Sequence, residues 1–61
     1  MVFKVLIKFT DGTELIINGV SDFYVLADHD NLIAIEKNGY RQFINKDYIF
    51  YIGREFDLKN R

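Results

Sequence analysis

Ser21 is the only serine and His29 the only histidine of this 61-residue sequence. A serine nucleophile needs a base within hydrogen-bond reach. A predicted strand over residues 23–27 separates the two, so Ser21 reads as a turn or cap residue and His29 as a solvated turn residue. Asp28-His29-Asp30-Asn31 offers alternating oxygen ligands and invites comparison with a calcium loop. An EF-hand loop requires glycine at its sixth position and a carboxylate at its twelfth. Counted from Asp28, those positions hold Ile33 and Gly39, and the match fails. Cysteine is absent, which excludes disulfides and thiolate metal sites. The four glycines, at 12, 19, 39 and 53, are dispersed one per turn and build no phosphate cradle. Nucleophile, base and orienting group cannot all be filled, so the expectation is no enzyme, no cofactor and no metal.

The elements that carry these residues follow from period-two patterning. Over residues 2–9, Phe3, Val5, Ile7 and Phe9 share one face while Val2, Lys4, Leu6 and Lys8 share the other. A strand with one buried face reads this way, whereas a helix would scatter the phenylalanines around its circumference. Asp11-Gly12 suits a hairpin, and a β-branched return over residues 13–17 ends at Asn18-Gly19, a second turn signal. Residues 23–27 and 32–37 predict further strands. Asn38-Gly39 is a type I′ hairpin signal, and residues 40–44 pair back across it. A polar interruption near residues 45–48 predicts one 3₁₀ turn before a last strand over residues 48–52. The segment from residue 54 to 61 has no firm pattern and is expected to fray or cap the fold.

Hydrophobic residues make up 49%, aromatics 16% and charged residues 28%, with a net charge of −1. That is too apolar for intrinsic disorder. No apolar run approaches the ~18 residues of a membrane helix, and no signal-peptide pattern opens the chain. The expectation is one soluble, cytoplasmic domain over residues 1–61. Five to six short antiparallel strands with tight turns imply an all-β fold, closed as a small curled barrel so that no long edge stays bare.

The three-strand meander of residues 23 to 44, the short turn and the last strand, carried by Phe43-Ile44-Asn45-Lys46-Asp47-Tyr48-Ile49, resemble the SH3-like and Sm-like small barrels. In those folds a 3₁₀ turn separates the fourth and fifth strands. Residues 2 to 17 supply two strands where the five-strand version needs one, so an OB-like arrangement stays open. The short cysteine-free chain is also similar to small phage or Gram-positive bacterial open reading frames. Because Sm-like and OB-like barrels often bind nucleic acid, the resemblance implies that function as an alternative.

Charge is unevenly distributed. Through Glu36 two basic residues face six acidic ones, net −4; beyond it six basic residues face three acidic ones, net +3. The basic half, with Tyr40, Arg41, Lys46, Tyr48 and Tyr51 (and Phe43 unless it joins the core), would be the nucleic-acid face, its rings stacking on bases. The overall acidic balance argues against it.

An interior filled by Phe3, Val5, Ile7, Phe9, Leu15, Ile17, Val25, Ile33, Ile35, Phe43, Ile49 and Ile52 leaves apolar side chains on the other faces. Phe56 and Leu58 of the tail are available to cover some of them. Contiguous exposed apolar patches on a small surface mark interfaces. The favoured expectation is therefore a non-enzymatic module that binds a protein and self-associates as a dimer. Leu6, Ile16, Tyr24 and Leu26 are its expected apolar contacts, with Tyr40, Arg41 and Lys46 on the polar side. On that reading Leu6→Glu with Leu26→Glu should leave a folded monomer.

Overall fold

The computed structural model describes residues 1–55. Phe56, Leu58 and all of the expected frayed tail beyond Glu55 lie outside the described residues.

The chain forms β1 (Phe3–Phe9), β2 (Glu14–Val25), β3 (Leu32–Lys37), β4 (Tyr40–Asn45), a 3₁₀ turn (Lys46–Tyr48) and β5 (Ile49–Arg54). All neighbours pair antiparallel in one five-stranded sheet of order β4-β3-β2-β1-β5. The fold is all-β, as expected, and the 3₁₀ turn falls where the polar interruption puts it. The closed barrel is corrected: among the described residues no ladder joins β4 to β5, and the sheet is not closed.

Of the five to six strands expected, five form. Asn18-Gly19 does not reverse the chain; the segments on either side of it belong to one twelve-residue strand, β2. Gly19 does take the left-handed backbone that the dipeptide suggests, with φ of 71°. It uses that conformation inside a bulge. Between the pairs Phe3↔Val20 and Val5↔Ile17, β2 has two residues, Asn18 and Gly19, where β1 has one, Lys4. A second irregularity follows between Val20↔Lys37 and Asp22↔Glu36, where Ser21 is the extra residue. Its hydroxyl donates to the carbonyl of Glu36 at 3.1 Å. Bulges bend a strand and increase its twist. Two of them let one strand pair with β1 through its first half and with β3 through its second.

The hairpin turns follow local chemistry. Asn38 and Gly39 both have positive φ, 54° and 80°, as a type I′ turn requires. The first hairpin is one residue longer than the Asp11-Gly12 dipeptide alone implies. Gly12 N–H donates to the Phe9 carbonyl at 3.0 Å, and Phe9 N–H donates to the Thr13 carbonyl at 2.8 Å. The Asp11 carboxylate holds this loop by accepting from the Thr13 amide at 2.9 Å and the Thr13 hydroxyl at 2.7 Å. The 3₁₀ turn is capped by Asn45, whose side chain accepts from the Asp47 amide at 2.8 Å.

Alternation along β1, β3 and the two halves of β2 sends one set of side chains inward. Val5, Ile7, Val20, Ile33 and Ile35 form the core cluster, flanked by Phe3, Phe9, Ile17, Phe23, Ile44, Ile49 and Ile52. Fully burying such a side chain contributes roughly 1.5–3 kcal/mol. Phe3 meets Phe23 edge-on at 6.0 Å, and the Arg54 guanidinium lies 4.4 Å above the Phe3 ring. Three expected core residues are exposed: Leu15, Val25 and Phe43. Leu15 pairs with Ile7 and Val25 with Ile33, so both share the inner side but remain exposed. Phe43 is on the other face altogether, because it pairs with Ala34 while Ile44 pairs with Ile33.

Candidate interaction surface

The outer face of the sheet holds the side chains that alternate with the core. In its β1–β2–β5 half, Leu6 pairs with Ile16 on one side and Gly53 on the other, and Lys8 pairs with Glu14 and Tyr51. The Lys8 ammonium lies 3.5 Å from the Glu14 carboxylate. Leu6 is 5% exposed, so its expected role as an open apolar contact is corrected. Replacing it with glutamate would bury a charge, and the monomer expected of Leu6→Glu with Leu26→Glu does not follow. Ile16, by contrast, is half exposed. Leu26 is half-buried beyond the end of β2, and its amide extends the ladder to the Leu32 carbonyl at 3.2 Å.

In the β2–β3–β4 half, two rows cross the outer face side by side. One is Tyr24–Ala34–Phe43 and the other is Asp22–Glu36–Arg41. Ala34 is fully buried between its two aromatic neighbours, while Phe43 is 51% exposed. Glu36 ties the rows together. The Tyr24 hydroxyl donates to its carboxylate at 2.5 Å, and the Arg41 Nε lies 3.9 Å from the same oxygen, Oε2. That hydrogen bond holds the Tyr24 phenol above the usual tyrosine range, helped by partial desolvation. Asp22 is exposed, with one carboxylate oxygen accepting from the Phe23 amide at 2.9 Å.

The expected contacts are therefore divided. Tyr24 and Arg41 come together on this half, Ile16 stands on the other, and Leu6 is withdrawn. Sequence reading puts Phe43 in the core or else among the rings of the basic half, and does not single out Asp22 or Glu36.

The nucleic-acid residues are more dispersed. Tyr40 and Arg41 are adjacent on β4 and so point to opposite faces. Tyr51 lies on β5, at the far end of the strand order from β4, and is half-buried. Lys46 and Tyr48 remain together on the 3₁₀ turn, both exposed. Tyr48 also lines an open depression of about 560 Å³ with Phe9, Thr10, Asp11 and Ile44. The Tyr48 carbonyl anchors that region by accepting from the Thr10 amide at 3.0 Å.

Among the described residues no group of three or more His, Cys, Asp or Glu side chains is placed to hold a metal ion. No helix of the described residues is long and apolar enough to cross a membrane. Compared with protein families, curated proteins and solved structures, the chain matches none.

Proposed function

We propose that this chain is a non-catalytic, cytoplasmic interaction module that binds a protein surface through its outer sheet face. The supporting observation is the Tyr24–Ala34–Phe43 row, in which an aromatic ring stands half in water beside a fully buried alanine. Aromatic side chains with nearby arginine are the side chains that dominate protein interfaces. Among the described residues, nine large apolar side chains are exposed against seven buried hydrophobic ones. A fold this small gains stability by covering some of them.

The SH3-like or Sm-like reading belongs with this proposal. Merging two expected strands into β2 brings the count to five, the number in that fold, and the 3₁₀ turn lies between the fourth and fifth. Both features support the resemblance.

Immobilised native chain and its Phe43→Asp variant, exposed to the same host lysate, test the module. The expected result is a specific protein retained by the native chain and lost by the variant, with both giving the same circular dichroism spectrum. Equal retention by both overturns it. The nucleic-acid alternative draws its support from Lys46 and Tyr48 on the 3₁₀ turn. Single-strand binding that weakens steeply with salt and is lost in Lys46→Glu would favour it.

A further inference from the structure

The two rows on the outer face of β2, β3 and β4 are complementary to themselves. β3 is the middle strand, with Ala34 at the centre of one row and Glu36 at the centre of the other. Asp22 stands on one flank of Glu36 and Arg41 on the opposite flank. Consider a second copy laid face to face, related by a two-fold axis that runs along β3 between the sheets. Such an operation exchanges β2 with β4 and keeps each row at its own level. Asp22 then faces the second copy's arginine at position 41, and Tyr24 faces its phenylalanine at position 43, each contact made twice. Ala34 and its counterpart lie at the centre, each already covered within its own chain, so that the flanking rings make the contact there.

We infer that a second copy of this chain occupies the outer face of β2–β4, as an isologous dimer with aromatic contacts between Tyr24 and Phe43 and flanking ion pairs between Asp22 and Arg41. This rests on the proposed interaction module and names its partner. A two-fold interface must be self-complementary in this way. A second copy is the occupant that brings an arginine to face Asp22 and an aspartate to face Arg41, level by level, without any further assumption about its sequence. The Glu36 carboxylates approach one another at the axis, and each is already held by Tyr24 and Arg41 of its own chain. The charged flanks set register and orientation, while the rings supply contact area.

Sedimentation equilibrium of the full chain, at up to about 1 mM, the weak end of specific association, tests the assignment. The native chain should dimerise, and Phe43→Asp should be a folded monomer. Arg41→Asp and Asp22→Arg should each weaken the dimer by about tenfold or more, and the double exchange should recover affinity to within about threefold. In the doubly exchanged chain Glu36 keeps one arginine beside it, on its other flank. A native chain that stays monomeric overturns the dimer. A dimer that survives Phe43→Asp but is lost in Ile16→Asp overturns the choice of face. If a monomeric native chain still retains a lysate protein through Phe43, the dimer falls and the interaction module stands.

Discussion

The Tyr51 ring lies over the backbone of Gly53, two residues along the same outer face of β5. A methyl group on Gly53 would stand 2.5 Å from the Tyr51 hydroxyl oxygen and 2.9 Å from the ring carbon that bears it. Glycine is otherwise unfavourable inside a strand, by roughly 0.5–1 kcal/mol relative to alanine. Its presence here follows from the ring above it, and Leu6, the cross-strand partner of Gly53, is buried in the same neighbourhood.

Gly53→Ala should therefore destabilise the chain by about 1 kcal/mol, because the ring must swing aside. In a Tyr51→Ala background the same change should become neutral or stabilising by about 0.5 kcal/mol. A double-mutant cycle by urea denaturation measures the coupling. Equal effects in both backgrounds would show that the ring does not set the residue.

Ile7 is fully buried at the centre of the core cluster. Truncating such a side chain to alanine costs roughly 2–5 kcal/mol. A single core of this size supplies no more than about 3–5 kcal/mol in all. Ile7→Ala should leave the chain largely unfolded at room temperature, whereas Ile16→Ala on the exposed outer face should change stability by less than about 0.5 kcal/mol. Thermal melts followed by circular dichroism separate the two.

The bulge in β2 places Gly19 at φ of 71°, and a methyl group there would meet the Lys37 side chain at an ordinary contact distance of 3.8 Å. Alanine there fits sterically but must adopt a left-handed backbone, at a cost of about 1–2 kcal/mol. Gly19→Asn should cost less, since asparagine tolerates that region. If Gly19→Ala is neutral in chemical denaturation, the bulge does not depend on the glycine.

The Asp11 carboxyl is held below its usual value of 3.8, chiefly by the Thr13 hydroxyl and then by the Thr13 amide. A carboxyl whose folded pKa is depressed binds its proton more readily in the unfolded chain. Its stabilisation is complete above the unfolded pKa and fades as the pH falls through the lower, folded value. The difference in melting temperature between the native chain and Asp11→Asn should be largest near neutrality and should shrink as the pH drops below about 4. A difference that stays constant from pH 7 to pH 2 would assign the effect to shape and not to charge.

Much of the sheet is legible in the sequence because its cues are local. The four phenylalanine, valine and isoleucine side chains of β1 announce their face by alternation, and Asn38-Gly39 fixes the β3–β4 hairpin. That turn also contains the information that Phe43 is an outer residue. A two-residue loop pairs Lys37 with Tyr40, which sets Phe43 opposite Ala34 and Ile44 opposite Ile33. Of the adjacent Phe43 and Ile44, only register decides which is buried, and hydrophobicity alone favours the larger ring. Asn18-Gly19 misleads for a different reason. The dipeptide specifies a positive φ, and a positive φ serves a bulge as well as a reversal; the choice is made by pairing on both sides of β2. From the sequence Leu6 reads as open because its neighbours Lys4 and Lys8 are polar. Its cover depends on the partner strands β2 and β5, which alternation within β1 cannot reveal.

Every ladder in the sheet joins strands consecutive in the chain, except that of β1 with β5. The β2–β3–β4 meander can zip through short loops, but β5 must return across nearly the whole length of the described chain before its first hydrogen bond to β1 forms. The entropy of closing that long loop is met when this one ladder forms. Side-chain truncations along the β1–β5 seam should accordingly slow refolding more than equally destabilising ones within the meander.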